Sequence, residues 1–446
     1  MCGGNKSFME VDLIIKGKWT IPIVPRGQLL KDHAIVVKGK RIIALCPIIE
    51  AEKQYTAKQC VTLSEHALIP GLINTHGHAP MALLRGTADD IPLQEWLEKK
   101  IWPLEAKLVN RAFVSDGATL AIAEMIRSGT TCFADMYFFP DEVAKVAISS
   151  GLRVQLASPV LDVPTIWAQD ANEYILKATQ LHDDYRDHDI VSTAFGPHAP
   201  YTVSDVALTK VGMLAEELDI PIHMHVHETD LEIKQAVAND GRRPIQRLYD
   251  LGLITPRLNC VHATQLIEEE IQLLAQHNVN VLHCPESNMK LASGFCPADS
   301  LINNGVNLGL GTDGGASNND LNMFMEMRSA ALLGKAVSRN ASAIPAYLAL
   351  EMATINGAIA LGLDANIGSL EVGKYADITA IDLTAPNTLP ENNPLSHLVY
   401  SVQASQVSHV WCAGRLLLEN RKLNTLDINK IINIAQDWQF KISAAR

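Results

Sequence analysis

The stretch LIPGLINTHGHAPMALLRG, residues 68–86, places His76 and His78 directly after an apolar run that is interrupted by Pro70 and Gly71. On a strand, residues i and i+2 project from the same face, so both imidazoles would point the same way. Two imidazoles separated by one small residue have little reason to lie in a packed core. We therefore expect a strand whose end carries a functional site.

The composition limits the class of partner. The chain has 446 residues, of which 48% are hydrophobic and 19% charged, so it can bury a large core. Its formal net charge of −12 argues against nucleic acid and favours a small-molecule partner. The eight cysteines, Cys2 among them, form no C-x-x-C pair, which fits buried reduced thiols. The N-terminal segment lacks a signal-peptide pattern and no stretch is apolar enough to cross a membrane, so we expect a cytoplasmic protein.

From residue 66 onwards, short apolar strands alternate with helical stretches, which is typical of β/α units around a parallel sheet. Eight such units predict an α/β fold, a closed (β/α)8 TIM-type barrel, with a doubly wound open sheet as the alternative. SDGATLAIAEMIRSG, SDVALTKVGMLAEELD and TQLIEEEIQLLAQHN have helical spacing and open with residues suited to capping. The link between strands seven and eight has the weakest helical pattern. The predicted strands are ALIPGLINTH, TCFADMY, LRVQLASPV, DIVSTAFGPH, IPIHMHVH, LNCVHAT, NVNVLHCP and VNLGLGTD.

Both ends of the chain are rich in β-forming residues. In EVDLIIKGKWTIPI and DHAIVVKGKRIIAL, glycine and lysine occupy the predicted turns of hairpins. The same pattern returns near residue 366 in IGSLEVGKYADITAIDL and VSHVWCAGRLLLENRKL. We therefore predict a composite β domain, residues 1–65 and 367–446, with the barrel, residues 66–366, inserted between its halves.

The histidines gather at the C-terminal ends of the predicted strands, which is where barrel enzymes carry their catalytic residues. Glu228 follows the fifth strand and Asp313 ends the eighth. Three histidines and one aspartate would make a zinc site with room for water, and a nearby carboxylate could transfer protons. Taken alone, Asp313 would more often cap a turn, and His223 is expected to be a hydrogen-bonded core residue. The histidines at strand ends are His76, His78, His198, His223, His225, His227, His262 and His283.

Six segments together resemble the amidohydrolase superfamily, and within it the 5′-methylthioadenosine/S-adenosylhomocysteine deaminase family. They occur in the family's order, and the resemblance covers nearly the whole chain. The resemblance implies a (β/α)8 barrel with a small β-sandwich from both termini, in agreement with the pattern above. The segments are PGLINTHGH, HMHVHET, CVHATQL, HCPESNMKLASG, LGTDGGASNNDLNMFMEMRSAAL and ATINGAIALGLDANIGSLEVGKYADI.

The resemblance implies a zinc-dependent aminohydrolase that replaces the C6 amino group of an adenosine-type nucleoside and releases ammonia. Glu228 would shuttle protons, His262 would hydrogen-bond the attacking water, and Asp313 would accept its proton. We expect one Zn²⁺ per subunit, with Fe²⁺ or Mn²⁺ as alternatives. The implied ligands are His76, His78, His225 and Asp313.

The resemblance also implies the substrate-binding residues, Glu228 and Asp313 among them. Glu105, in WPLEAKL, would bind the ribose hydroxyls, and His198, in FGPHAPYT, would contact the substrate. The alternative for Glu105 is a solvated carboxylate at a helix start. His283 and Cys284 are expected to be structural.

Two departures from the family pattern refine the prediction. The fourth strand, STAFGPH, lacks the carboxylated lysine of binuclear relatives, which favours a single metal ion. The segment after the third strand, SPVLDVPTIWAQDANEY, lacks the arginines by which some members are thought to hold a homocysteine carboxylate. Trp167 and Pro164 would suit an apolar methylthio group instead, which disfavours S-adenosylhomocysteine.

Several alternatives share the metal motif. A guanine or cytosine deaminase or a triazine chlorohydrolase would carry the same ligands, although a ribose-binding Glu105 and His198 favour a nucleoside. A metal-free scaffold protein is disfavoured because every expected ligand is present. We expect a homo-oligomer, either a dimer or a tetramer.

Overall fold

The structure is a computed structural model that describes residues 8–446, so Cys2 lies outside the described residues. Its strands form two sheets of eight, one a parallel barrel and the other built from both ends of the chain. In chain order the strands are β1 (Met9–Thr20), β2 (Leu30–Lys38), β3 (Arg41–Pro47), β4 (Tyr55–Pro70), β5 (Leu72–Asn74), β6 (Thr130–Asp135), β7 (Arg153–Val160), β8 (Val191–Pro197), β9 (Ile222–Val226), β10 (Leu258–His262), β11 (Asn280–His283), β12 (Asn307–Leu310), β13 (Ile378–Asp382), β14 (Val407–Cys412), β15 (Arg415–Glu419) and β16 (Lys422–Leu423).

Strands β5 to β12 confirm the eight predicted barrel strands, and each pairs in parallel with the next. The Thr75 N–H donates to the Leu310 carbonyl at 2.9 Å, which joins the last strand to the first and closes the barrel. Gly311 permits this close approach, because a Cβ there would lie 2.7 Å from the backbone nitrogen of His76. The open sheet considered as an alternative is therefore wrong.

The helices lie mainly between the barrel strands. They are α1 (Ile48–Gln54), α2 (Leu93–Trp96), α3 (Trp102–Leu108), α4 (Arg111–Arg127), α5 (Pro140–Ser150), α6 (Ala171–Tyr185), α7 (Asp205–Leu218), α8 (Asp230–Asp240), α9 (Pro244–Asp250), α10 (Glu268–Gln276), α11 (Pro285–Lys290), α12 (Ala298–Asn303), α13 (Met323–Ser338), α14 (Ala346–Met352), α15 (Ile355–Ala360), α16 (Pro394–Tyr400) and α17 (Ile428–Ala445). A π-helical turn, Leu97–Ile101, connects α2 to α3. The weak link between β11 and β12 contains the two short helices α11 and α12. No helix among residues 8–446 is both long and apolar enough to cross a membrane.

The helix starts differ in part from prediction. Helix α7 follows Ser204, whose hydroxyl caps it as expected. Helix α4 follows Asn110 rather than starting near Ser115, because the Asn110 side chain accepts the Phe113 N–H at 3.0 Å. Helix α10 starts later than predicted, at Glu268.

The second sheet joins the chain ends through antiparallel pairing of β13 with β4. This sheet is strongly curved, which brings the turn after β14 close to the turn after β2. A Cβ on Gly414 would lie 2.7 Å from the carbonyl oxygen of Gly39. The predicted turn at Gly39 is confirmed, whereas the one at Gly17 is wrong. Gly17 lies inside β1 at a bulge, where a Cβ would meet Leu68 at 2.6 Å.

The predicted division of the chain at residues 65/66 and 366/367 stays a prediction. Strand β4 carries the second sheet as far as Pro70. At the other end of the chain, the indole N–H of Trp438 in α17 donates to Asp116 in α4 at 2.8 Å, and its ring lies 5.2 Å from that of Phe113. The last helix therefore packs on the barrel.

Candidate active site and metal centre

A cavity of about 750 Å³ opens at the C-terminal end of the barrel strands. The structure brings all the predicted site residues together around it. His76 is fully buried beside the cavity, with its Nε2 3.3 Å from Asp313. The others line the cavity directly: His78, Glu105, His198, His225, Glu228, His262 and Asp313.

Five of these side chains converge on one point. The Nε2 atoms of His76 and His78 lie 3.3 Å and 3.2 Å from Oδ1 of Asp313. Ligand atoms of His76, His78 and His225 lie within 4.8 Å of one another, as do those of His76, His262 and Asp313. Because both groups share His76, they describe one centre. Its nitrogen and oxygen donors suit a zinc-like cation.

The buried Nε2 of His76 tests whether a metal ion fits. This atom has no hydrogen-bond partner among the described residues. A buried polar atom without a partner costs about 1–3 kcal/mol, so native proteins rarely leave one unexplained. A cation bound at this point would use the Nε2 lone pair. The donor set therefore fits a single metal ion.

The second ring nitrogen of each histidine fixes its orientation. Burial lowers the pKa of His76 to about 4 and that of His225 well below its usual value, so these two rings are neutral and able to bind a metal. Burial also acts to lower the pKa of His78, but the adjacent Asp313 carboxylate raises that pKa to about 9, so this ring must release a proton when a cation binds. His223 is the hydrogen-bonded core residue that was expected. The Nδ1 contacts are His76 to Nε2 of His223 at 2.7 Å, His78 to the Met136 carbonyl at 2.6 Å and His225 to the His198 carbonyl at 2.8 Å.

Asp313 presents one oxygen to this centre. Its other oxygen, Oδ2, accepts hydrogen bonds from the hydroxyls of Ser287 at 2.6 Å and Ser317 at 2.7 Å. Burial tends to raise the pKa of this carboxyl, but the imidazoles of His76 and His78 beside Oδ1 outweigh it and hold the pKa well below its usual range. Asp313 is therefore ionised, and Oδ1 faces the centre, where it can bind a cation or accept a proton.

Glu228 and His262 face each other across the centre, with Oε1 and Nε2 3.7 Å apart. Burial raises the pKa of Glu228, although the nearby His262 opposes it. Such a carboxyl is better able to hold and deliver a proton near neutral pH. The Glu232 carboxylate accepts the backbone N–H groups of His227 at 3.0 Å and Glu228 at 2.7 Å, which fixes the loop.

Sequence reasoning missed Glu232 and left the partner of His262 unidentified. That partner is Asn288 in α11, whose Oδ1 lies 2.8 Å from Nδ1 of His262. Thr229 to Glu232 has the spacing of a capping box, a signal that could have pointed to Glu232. Asn288 carries no comparable signal.

Glu105 and His198 lie on the cavity wall. The Tyr137 hydroxyl donates to Glu105 Oε1 at 2.6 Å, and burial raises the pKa of Glu105 although this hydrogen bond opposes the effect. The Nδ1 of His198 lies 3.0 Å from the Thr202 hydroxyl, and burial lowers the pKa of His198 to about 4. The wall thus offers one carboxylate and one neutral imidazole for hydrogen bonds. The buried residues His283 and Cys284 do not line the cavity.

The outer wall of the cavity is apolar. Val163, Pro164 and Ile166 line it, and none of the lining residues in the described chain is lysine or arginine. Pro164 lies where the sequence predicted, but the expectation for Trp167 is wrong. The loop bends so that the Thr165 N–H meets the Ala168 carbonyl, and the Trp167 ring turns away to pack 5.5 Å from the ring of Tyr174.

Comparisons with known proteins agree with this geometry. Residues 67–417 match the amidohydrolase family. The chain is 48% identical over 436 residues to 5-methylthioadenosine/S-adenosylhomocysteine deaminase of Teredinibacter turnerae, which covers 98% of this chain and 99% of that protein. It is 49% identical over 435 residues to the protein of the same name from Saccharophagus degradans, with 98% of each chain covered.

Among solved structures, an adenosine deaminase from Xanthomonas campestris with bound zinc has a TM-score of 0.97 and 48% identity. The match covers 98% of this chain and all of that one. The predicted fold and family are therefore confirmed. The chain belongs to the amidohydrolase family, in its 5-methylthioadenosine/S-adenosylhomocysteine deaminase branch.

Proposed function

We propose that this protein is a zinc-dependent aminohydrolase that deaminates adenosine-type nucleosides. In this reaction, the oxygen of water replaces the amino group at C6 of the adenine, which gives an inosyl product and ammonia. The observation that carries the proposal is the convergence of three histidines and Asp313 on one point, beside the buried Glu228. The family and the zinc in the Xanthomonas campestris structure support it.

We assign one metal ion per subunit to His76, His78, His225 and Asp313. When bound, zinc would supply the Lewis acidity that makes water a nucleophile near neutral pH. Fe²⁺ and Mn²⁺ remain alternatives because they tolerate the same donors.

We assign the proton transfers to two carboxyl groups. Oδ1 of Asp313 accepts the proton of the attacking water, while the two serine hydroxyls hold Oδ2 in place. Glu228 delivers a proton to ring N1 as charge builds there, takes up the hydroxyl proton as the C6 carbonyl forms, and passes it to the departing ammonia. The water proton held by Asp313 then restores the proton on Glu228. His262 orients the water, and its hydrogen bond to Asn288 fixes the imidazole plane.

Glu105 and His198 are assigned to the ribose. A carboxylate held by Tyr137 can accept hydrogen bonds from sugar hydroxyls, which a free base lacks. Binding energy gained at the sugar then helps to position the reacting ring. This favours a nucleoside over guanine, cytosine or adenine.

The apolar outer wall leads to a prediction about the 5′ substituent. We expect kcat/KM for 5′-methylthioadenosine to exceed that for S-adenosylhomocysteine by about 10-fold or more, since a charged group desolvated without a partner is costly. Steady-state kinetics with both nucleosides measure the ratio. Val163→Arg adds a cation to this wall and should lower the ratio of the two kcat/KM values. Equal kcat/KM values in the unmodified protein would contradict the preference for an apolar 5′ substituent.

The primary test is ammonia release from 5′-methylthioadenosine, S-adenosylhomocysteine, adenosine, adenine, guanine and cytosine. The zinc-loaded protein is compared with a chelator-treated sample. We expect release from the nucleosides and its loss after chelation. Release from a free base alone would refute the ribose assignments but leave the metal centre, and release from none of them would favour a chlorohydrolase or a scaffold protein.

Three further predictions concern the whole molecule. We propose a homo-oligomer, because α7 exposes Val206 at 81% and Met213 at 69% of their surfaces. Light scattering in solution would measure its mass.

The cytoplasm remains the proposed location, supported by the absence of disulfides among the described cysteines. The division into a barrel and a composite β domain likewise remains proposed.

A further inference from the structure

A wide helical turn lies between Leu93 and Glu105, which both line the cavity. The Trp102 N–H donates to the carbonyl of Leu97, five residues earlier, in the π turn Leu97–Ile101. An α-helix bonds to the residue four positions earlier. The turn between α2 and α3 therefore holds one residue more than an α-helical turn.

That additional residue sets the direction of Glu105. At about 100° per residue, twelve α-helical steps from Leu93 would turn Glu105 about 120° away from Leu93. The wide turn contains one additional residue, so the twelve steps from Leu93 to Glu105 rotate the chain only as far as eleven α-helical steps would. Glu105 then points about 20° away from Leu93. Leu93, Ile101 and Glu105 accordingly line the same cavity. Lys99 and Lys100 are exposed, so the turn widens on the solvent side.

Pro103 supplies the physical cause. It has no N–H, and in an α-helix its ring would clash with the carbonyl four residues earlier, that of Lys99. A widened turn just before proline relieves this clash, and π turns are often found at functional sites. Pro103 is itself exposed, so it acts through the backbone rather than through packing.

We propose that Pro103 and the π turn form a positioning device that directs Glu105 at the substrate ribose. The inference rests on the proposed function, because it takes the ribose as the group that Glu105 binds. It makes a counter-intuitive prediction: removing one residue from the turn preserves the site, whereas removing two destroys it.

The test compares two zinc-loaded, full-length variants. Deletion of Lys100 combined with Pro103→Ala gives a regular α-helix in which Glu105 keeps its direction, so KM for 5′-methylthioadenosine should stay within about 3-fold of wild type. Deletion of Lys99 and Lys100 with Pro103→Ala turns Glu105 by about 100°. KM should then rise by at least ~10-fold, as expected when a charge-assisted hydrogen bond is lost.

Glu105→Gln tests the ribose assignment separately from the positioning proposal. If that change leaves KM unaltered, the ribose assignment fails, whatever the turn does. If Glu105→Gln raises KM and the single deletion raises it equally, with zinc content and Tm retained, the positioning proposal is overturned. Should the deletions not fold, insertion of one alanine after Lys100 is the second variant. It should raise KM like Glu105→Gln, and an unchanged KM would equally overturn the proposal.

Discussion

Glu228→Gln should lower kcat by at least ~10²-fold while zinc content and substrate affinity stay near wild type. Glutamine has nearly the same shape but cannot deliver a proton, and general acid–base catalysis contributes on this scale. The backbone of residue 228 is held by the Glu232 carboxylate at 2.7 Å, so the loop should keep its conformation. Steady-state kinetics, metal analysis and equilibrium binding of substrate measure the three quantities.

Glu232→Gln is the matched control, since Glu232 is also a buried glutamate but does not line the cavity. Its carbonyl oxygen can still accept one of the two backbone N–H groups, whereas its NH2 would face the other. We therefore expect a somewhat lower Tm but a much smaller loss of kcat. Near wild-type turnover in Glu228→Gln would remove Glu228 from the mechanism. A loss in both variants accompanied by a lower Tm would instead assign the effect to the loop.

The barrel could be predicted because its strand ends carry repeated signals. Most of the predicted strands combined an apolar run with a polar or glycine-containing end, and the parity of His76 and His78 placed both rings on one face. Closure of the barrel depends on a contact invisible in sequence, the bond from Thr75 to Leu310. Local composition also misled: the Gly17 and Lys18 pair resembles a turn but forms a bulge, because Leu68 occupies the space beside Gly17.

The chemistry-bearing residues could be proposed in advance, but the groups that hold them could not. The sequence does not mark the contacts that hold His262 and Asp313. Asn288 and Ser287 are distant along the chain from the residues they contact, and Ser317 lies in a polar loop that gives no sign of its contact with Asp313. Trp167 shows the converse, because an apolar residue in the right loop turned out to pack on Tyr174. Side-chain direction in a loop depends on its backbone bonds, and residue type alone does not determine it.

His76→Ala should abolish metal binding and activity together. His76 contributes to both ligand groups, and its Nε2 has no other partner among the described residues. Losing a hydrogen-bond partner of a metal-binding histidine typically costs 10–100-fold in metal affinity, so loss of the ligand itself should cost at least ~10²-fold. Metal content after dialysis and ammonia release from 5′-methylthioadenosine measure the two losses.

Two further histidines distinguish loss of a ligand from loss of a buried ring. His223→Gln removes the imidazole that contacts Nδ1 of His76, but it leaves the Nε2 of His76 in place as a ligand. We therefore expect metal affinity to fall by about 10–100-fold, with some activity retained at high zinc concentration. His283→Gln alters an equally buried histidine that does not line the cavity, and metal content should be unchanged. Because all three rings are buried, only ligation predicts the order His76, His223, His283 for loss of metal. Full metal content in His76→Ala would contradict its assignment as a ligand and, with it, the centre on which the proposed reaction depends.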